Sequence, residues 1–195
     1  MKKRNTPTKQ EIKKSFIQLL QTKGFEGMTV SDIAREASIN RGTFYLHYLD
    51  KYDLMDKLEK ETIYDLEQIL LNDTPSSSDN RHTELIPYDL ILKALEYVRA
   101  DFAFISALSG KNGDPRFSEL VKDVLGEMVD AKMKMSGTSK FSKPHLPEDY
   151  ATEILLSSVV SIIMLWIRKG GLEEPNEIAA MIEQAKKIPP CQLLL

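Results

Sequence analysis

Residues 41–48, Arg-Gly-Thr-Phe-Tyr-Leu-His-Tyr, bring small, polar and cationic side chains together on one predicted helix. Phe44 and Tyr48 lie four residues apart and give this helix an apolar inward face. The outer face carries Arg41, Gly42, Thr43, Tyr45 and His47. Groups of this kind reach phosphate oxygens and base edges, so the pattern predicts contact with nucleic acid. Glycine costs about 1 kcal/mol relative to alanine inside a helix, and Gly42 is explained if the backbone approaches another surface closely.

The preceding residues predict a second, supporting helix. Thr29 and Asp32 are spaced for a helix start, in which the hydroxyl accepts from a free N–H group and the acid lies at the positive helix end. Residues 38–40 supply turn chemistry, and Asn40 is suited to cap the next helix. Two helices joined by such a turn form a helix-turn-helix, which presents its second helix to the DNA major groove. The alternative is a small bundle whose polar face is only solvated.

Two longer helices flank this pair. The first is predicted from about Thr8 to Lys23, with Gly24 as its stop residue. Its buried stripe consists of Ile12, Phe16, Leu19 and Leu20. The other helix begins at Asp50 and runs to about Leu71. It connects the N-terminal head to the rest of the chain, so a change in the body can tilt the head.

The run from about Thr8 to Leu58 resembles the TetR-type family of bacterial transcriptional regulators. The resemblance is carried by residues 29–34 (Thr-Val-Ser-Asp-Ile-Ala), 41–48 and 50–54 (Asp-Lys-Tyr-Asp-Leu). The family implies a three-helix DNA-binding head, a fourth helix linking it to an all-helical ligand-binding and dimerisation domain, and release from DNA when a small molecule binds. Residues 40–41 stand where small residues or Ser and Lys are common, so the family's base preference is not carried over. Tyr48 replaces the more common Phe.

The resemblance also implies the DNA contacts. Thr29 and Ser31 would touch phosphate at the start of the first motif helix, and Lys51 would add a phosphate contact at the start of the connecting helix. The residues that would face DNA are Arg41, Gly42, Thr43, Tyr45 and His47. Residues 166–171 and 177–179 resemble the C-terminal domain type of regulators from Firmicutes.

The charge distribution agrees with a DNA-binding head. The whole chain of 195 residues has a formal net charge of −3, which argues against a generally basic nucleic-acid-binding protein. Residues 1–50 hold nine Lys or Arg and five Asp or Glu, a balance of +4, so the remainder holds −7. This asymmetry indicates a basic contact surface on an acidic body. The alternative is an accidental cluster of solvated charges.

Helical periods and turn signals predict an all-α protein of about nine helices. We divide it into residues 1–60, a helix-turn-helix DNA-binding domain, and residues 61–195, a helical ligand-binding and dimerisation domain. Segments 72–84 and 136–147 are rich in loop-forming residues and predict exposed loops.

The predicted helix from about Glu148 to Lys169 is the most apolar in the chain. Its apolar stretch, residues 154–167, is shorter than the about 20 residues of a membrane span, so it predicts a buried helix and no membrane contact. A second copy of the chain would cover such a helix, and we expect a homodimer. A monomeric bundle is the alternative. The predicted interface residues are Leu155, Ser158, Val159, Ile162, Ile163, Ile178, Met181 and Ile182.

A pocket for a small-molecule effector is predicted among the middle helices, where aromatic and sulfur-containing side chains occur. Its candidate walls are Tyr97, Phe102, Phe104, Met128, Met133, Met164 and Trp166. The alternative is that these side chains form ordinary core.

Nothing in the sequence has the pattern of an enzyme. We find no nucleophile with a base, no phosphate-binding loop and no metal-ligand spacing among His47, His82, His145 and Cys191, and expect no metal and no cofactor. The single cysteine excludes an intramolecular disulfide and fits a reducing cytoplasm. The basic residues 1–7 lack the apolar core of a secretory signal. We therefore expect a cytoplasmic protein.

The helix-turn-helix pattern and the apolar last helices predict a sequence-specific regulator that binds a palindromic double-stranded DNA operator as a homodimer. The TetR-type resemblance implies that it is a ligand-released repressor. A second interpretation is a ligand-responsive adaptor or coactivator whose head binds a protein partner instead of DNA.

Overall fold

The computed structural model describes residues 7–71, 85–110, 113–136 and 146–188, without the side chains of residues 135 and 136. Within these ranges the chain forms nine helices and no strand, which confirms the predicted all-α fold. The predicted loop 72–84, most of loop 136–147, and the candidates His82, His145 and Cys191 lie outside the described residues.

The described residues form these nine helices in chain order. Their bounds are α1 Pro7–Gly27, α2 Val30–Glu36, α3 Arg41–Tyr45, α4 Lys51–Leu71, α5 Tyr88–Ala100, α6 Phe102–Ser109, α7 Phe117–Ser136, α8 Glu148–Arg168 and α9 Pro175–Ala185. The chain divides into two compact units. Unit 1 consists of Met1–Thr62 and Ala103–Pro115, and unit 2 of Ile63–Phe102 and Arg116–Leu195.

Unit 1 is built around the predicted apolar stripe of α1. α1 packs on α2, and α2 packs on α3. Fully buried side chains at its centre are Ile12, Phe16, Leu20, Ile33, Phe44 and Leu54. The helical path of α1 is interrupted at Gly24, whose φ of 72° is the left-handed conformation that glycine adopts without strain. The predicted stop signal is therefore real, although helical turns resume after it.

Unit 1 also includes α6, which the sequence-based division at residue 60 did not foresee. Phe104 of α6 is fully buried, and the ammonium group of Lys13 on α1 lies 4.5 Å from the centre of its ring. A cation over an aromatic face is attracted by the ring's quadrupole. This contact fastens α6 to the first helix of the head.

In unit 2, α5 packs on α9, α7 packs on α8, and α8 packs on α9. Its core combines aliphatic side chains with Phe117, Met128, Met164 and Trp166. Prominent members are Ile91, Leu95, Val129, Val159, Trp166, Ile167, Ile178 and Ile182. α5 ends at its C-cap Asp101, directly before α6 begins.

The turn between α8 and α9 is held by several hydrogen bonds. Gly170 and Gly171 have φ of 87° and 63°, and their N–H groups donate to the carbonyls of Ile167 and Trp166. This is the Schellman arrangement that ends many helices. The guanidinium of Arg99 on α5 donates to the carbonyls of Gly171 and Glu173 at 2.7 and 2.5 Å. α5 thereby fixes the path of the chain between the last two helices.

By length and composition alone, α8 could cross a membrane, because its 18-residue window has a mean hydropathy of 1.8. The sequence-based argument against a membrane span considered only the apolar stretch 154–167, whereas the whole helix Glu148–Arg168 is long enough to span. A core helix passes the same test, and 39% of the window is buried. The apolar character of α8 is weak support for a membrane role.

Candidate DNA interface

The start of α2 is organised by the predicted pair of residues. The hydroxyl of Thr29 accepts from the N–H of Asp32 at 3.1 Å, and the carboxylate of Asp32 accepts from the N–H of Thr29 at 3.0 Å. These reciprocal bonds form a capping box, which satisfies two otherwise free N–H groups. Thr29 and Ser31 are exposed at this helix start. Their phosphate contact stays a prediction.

Asp32 also ties α1 to α2. Its carboxylate accepts from the ammonium of Lys23 at 2.9 Å and from the guanidinium of Arg35. The hydrogen bond from Lys23, followed by those from Thr29, holds the pKa of Asp32 far below its ordinary value. The carboxylate is therefore ionised at neutral pH and partly neutralises both cations.

α3 is capped by Asn40, whose side-chain oxygen accepts from the N–H of Gly42 at 2.9 Å. The helix is shorter than expected, because helical hydrogen bonding stops at Tyr45 and not near Tyr48. Both predicted inward residues are buried, Phe44 at 0% and Tyr48 at 6% exposure. Burial first, then the charges of Glu61 and Asp53, raises the pKa of Tyr48 to about 12. Its phenol stays neutral, as its core position requires.

Arg41 and Tyr45 form a pair on the exposed side of α3. The guanidinium of Arg41 donates to the hydroxyl of Tyr45 at 3.2 Å and lies 6.0 Å from the centre of its ring. Both residues are exposed. Among the residues that the structure describes, no carboxylate forms an ion pair with Arg41. Its charge is thus available to an anion, and Tyr45 restricts where the guanidinium points.

Gly42 is not required by the fold of α3. A Cβ atom there would meet only the side-chain oxygen of Asn40, at an ordinary 3.5 Å, and its φ is not positive. The absence of a side chain leaves the helix backbone uncovered near its start. Thr43 and His47, the other two residues predicted on this face, are half-buried.

Lys51 has a local role that the sequence did not reveal. Its ammonium donates to the carbonyls of Phe25, Glu26 and Met28 at 2.9, 3.2 and 3.1 Å. It also lies 4.9 Å from the centre of the Phe25 ring. All three N–H groups of the ammonium have partners, so Lys51 joins the start of α4 to the end of α1. Its predicted phosphate contact stays untested.

Sequence reasoning missed two exposed leucines beside these polar groups. Leu46, at the C-cap of α3, is 81% exposed, and Leu49 is 77% exposed. The spacing contained a signal for the first of them, because Leu46 follows Gly42 by four residues and shares its side of the helix.

In the second part of the chain, the predicted pocket residues have mixed positions. Met128, Met164 and Trp166 are buried, whereas Tyr97, Phe102 and Met133 are partly exposed. Phe104 belongs to unit 1, so the seven residues do not share one compact unit. Trp166 serves as core: its indole N–H donates to the carbonyl of Glu173 at 2.9 Å, and its ring contacts that of Phe102.

Half of the predicted dimer-interface residues are already covered by their own chain, and the interface itself stays a prediction. Val159, Ile163, Ile178 and Ile182 are 1–8% exposed. Helical periodicity identifies an apolar face but not which partner covers it. The other four predicted residues are accessible to solvent. Leu155 and Ile162 are partly exposed, Ser158 is exposed, and Met181 is 48% exposed. Tyr150, Ile154 and Leu165 add exposed apolar groups to α8.

Comparison with known proteins identifies the class of both parts. The family described as "Bacterial regulatory proteins, tetR family" matches residues 17–58, and the family described as "Transcriptional regulator C-terminal region" matches residues 87–186. The chain is 38% identical over 52 residues to the uncharacterized HTH-type transcriptional regulator YxbF of Bacillus subtilis (strain 168). That match covers 26% of this chain and 14% of YxbF, so most of the relative lies outside it.

Two solved structures share the fold over most of their length. The fatty acid degradation regulator FadR from Bacillus halodurans is 17% identical, with a TM-score of 0.67 over 93% of this chain and 95% of that one. FadR from Bacillus subtilis, in complex with stearoyl-CoA, is 16% identical, with a TM-score of 0.64 over 89% and 94%. The matched head and the matched C-terminal region together show that this chain belongs to the TetR family of bacterial transcriptional regulators.

Proposed function

We propose that this chain is a sequence-specific DNA-binding repressor that acts as a homodimer on a palindromic operator and is released by a small molecule. The observation that carries the DNA part is the exposed Arg41–Tyr45 pair on α3. It combines an unneutralised guanidinium with a phenol on a helix whose start is capped and whose inner side is buried. In a helix-turn-helix the corresponding helix lies in the major groove. Arg41 would bind phosphate or guanine, and Tyr45 would contact a base or the sugar-phosphate backbone.

The contacts from α2 and α4 are part of the same proposal. Thr29 and Ser31 are exposed at the start of α2, where free N–H groups favour phosphate oxygens. Lys51 would reach phosphate only if it exchanged at least one of its three carbonyl partners. We therefore assign Arg41 the larger share of the electrostatic attraction.

The homodimer is proposed from the exposed side of the last two helices. Ile154 and Leu165 on α8 are 53% and 51% exposed, and Met181 on α9 is 48% exposed. Ser158 and Ser161 lie between the two α8 residues and are small enough to allow close approach. A second copy that covers this surface would remove these apolar groups from water. Two heads held about 34 Å apart would then read successive major grooves.

The dimer is tested by sedimentation velocity on wild-type protein and on Leu165→Glu. We expect a wild-type dimer and a monomeric variant, because a carboxylate buried at the interface would lack a partner. Tyr64→Glu is the matched control, since it removes an exposed aromatic side chain from α4 and leaves α8 and α9 unchanged. A monomeric wild-type protein, or a Leu165→Glu dimer, would reject the proposed surface.

The effector is proposed to bind among the helices of unit 2. The structure of FadR from Bacillus subtilis is described in complex with stearoyl-CoA, which makes that compound the first probe to try. The predicted residues Met128 and Met164 are buried, with Tyr97 and Met133 partly exposed near the surface. A compound that prefers a conformation with mis-spaced heads lowers operator affinity by the ratio of its affinities for the two conformations. The proposal includes a cytoplasmic location and no catalytic activity. The residues that the structure describes contain no metal-binding cluster.

The DNA part is tested by selecting bound duplexes from a random pool with the full chain at moderate salt. We expect enrichment of a palindrome with two matching half-sites. A parallel selection with Arg41→Glu, which reverses the charge on α3, should recover no palindrome. Failure of folded, dimeric wild-type protein to enrich any sequence would reject DNA recognition and favour the alternative, in which the head binds a protein partner.

A further inference from the structure

Leu46 has the most solvent-exposed large apolar side chain in the part of the chain that the structure describes, at 81%. It follows directly on α3 and forms the helix C-cap. Its neighbours on the exposed side of that helix are polar or lack a side chain. An aliphatic group left in water at this position gains nothing for the fold, and its side chain is free to contact a partner outside the unit.

Helix geometry aims Leu46 directly away from the core. Successive residues of an α-helix are about 100° apart, so Leu46 lies roughly 200° around the helix from Phe44. Phe44 is fully buried. Leu46 therefore projects from the side of α3 opposite the core, and Gly42 precedes it by four residues on that same side.

The backbone at Gly42 allows the side chain of Leu46 to reach deep into a groove. The fold itself would accept a Cβ at Gly42, but that Cβ would increase the distance between the helix and any surface it meets. Arg41 and Tyr45 flank this side with a cation and a phenol. An aliphatic side chain between such groups fits a surface that is anionic at its edges and carries an apolar group at its floor.

We propose that Leu46 is a specificity residue that contacts the C5-methyl group of a thymine in each half-site. This inference rests on the proposed DNA-binding function and deepens it. In the major groove the thymine methyl is the apolar feature that distinguishes base pairs, while the other groups there donate or accept hydrogen bonds. Leu46 has neither donor nor acceptor, so it favours a methyl group over the polar edges of the other bases.

The experiment removes the methyl group and the side chain separately. Each thymine of the selected operator is replaced in turn by deoxyuridine, which lacks only the C5-methyl, and equilibrium affinity is measured for wild type and Leu46→Ala. We expect one thymine per half-site at which the wild type loses about fourfold in affinity, the effect of exposing one methyl-sized apolar group. Leu46→Ala should show less than about 1.5-fold loss at that position.

A second pair of variants separates recognition of the thymine methyl group from nonspecific apolar contact with DNA. Leu49→Ala removes a leucine of nearly equal exposure that lies outside α3, and it should keep the wild-type response to deoxyuridine. Leu46→Gln should shift the selected base away from thymine at the same position, since an amide hydrogen-bonds to adenine.

The possible failures are distinguishable. If the wild type selects an operator but responds to deoxyuridine nowhere, or if Leu46→Ala keeps the full response, the role of Leu46 is overturned and DNA recognition stands. If the folded wild type selects no operator, both proposals fall, and Leu46 becomes part of a surface for a protein partner.

Discussion

The ammonium of Lys51 lies 2.9 Å from the carbonyl oxygen of Phe25, at the end of α1 beyond the break at Gly24. Two more carbonyls accept from the same group. One side chain thus closes a helix end 23 to 26 residues away in sequence and attaches the connecting helix to the head. A cation at a helix C-terminus also interacts favourably with the helix dipole.

Lys51→Met should lower the free energy of unfolding by about 1–2 kcal/mol, because three charge-assisted hydrogen bonds are lost while the apolar stem is kept. Urea denaturation measures the change. Lys60→Met is the control, since Lys60 is exposed and, among the described residues, forms an ion pair only with Asp56 on its own helix. It should change stability by less than about 0.5 kcal/mol. Equal effects of the two substitutions would show that the carbonyl contacts of Lys51 contribute nothing.

Asp32 should make stability fall in acid. Its folded-state pKa is depressed by Lys23 and Thr29, so its contribution is present above the unfolded value of about 3.9 and is lost as the pH falls below it. The difference in unfolding free energy between wild type and Asp32→Asn should be largest at pH 7 and shrink as the pH falls below about 4. Asp56→Asn, whose only described ion pair is with exposed Lys60, serves as the comparison. A difference that is independent of pH would contradict the capping and ion-pair account.

Substitution by alanine should lower the free energy of unfolding by different amounts at two adjacent glycines. No atom lies within 4 Å of the position that a Cβ would occupy at Gly170, so Gly170→Ala meets only the strain of its φ of 87°, about 1–2 kcal/mol. At Gly171 a Cβ would lie 2.6 Å from the ring of Phe102, and Gly171→Ala should cost roughly 2–4 kcal/mol. Thermal and urea denaturation compare the two variants. In the background Phe102→Leu the cost at Gly171 should fall toward that at Gly170, and a constant cost would refute the steric explanation.

Arg41 and Tyr45 should affect DNA binding in different ways. Arg41→Ala removes a charge, so the dependence of log affinity on log salt should become shallower by about 1. Tyr45→Phe keeps the ring but removes the hydroxyl that accepts from Arg41; affinity should drop about fivefold with the salt slope unchanged. Fluorescence anisotropy at several salt concentrations measures both quantities. An unchanged slope for Arg41→Ala would remove Arg41 from the phosphate contacts.

Local signals were enough to predict the starts of α2 and α3 and the break in α1, although α3 ends earlier than predicted. Gly24 as a stop, Thr29 with Asp32 as a start and Asn40 as a cap each act within a few residues, and the structure confirms all three. Buried residues such as Phe16 and Phe44 followed from the 3.6-residue period in the same way. These features depend on interactions between residues that are close together in the sequence.

Contacts that span long sequence separations were not predictable. The carbonyl partners of Lys51 and the membership of α6 in unit 1 depend on how the helices come together. Ile178 and Met181 illustrate the same limit, because both are apolar and lie on one short helix, yet Ile178 is 3% exposed and Met181 48%. Composition gives both residues the same preference, and only the neighbouring helices decide which one is covered.

The central claim, two coupled heads that read one palindrome through α3, is tested most directly by changing the half-site spacing. Affinity is measured for the selected operator and for the same operator with about five base pairs, roughly half a helical turn, inserted at its centre. The insertion should lower affinity by about 100-fold or more, toward that of a single half-site, because the second head loses its effective concentration. Equal affinity for the two duplexes would contradict the account.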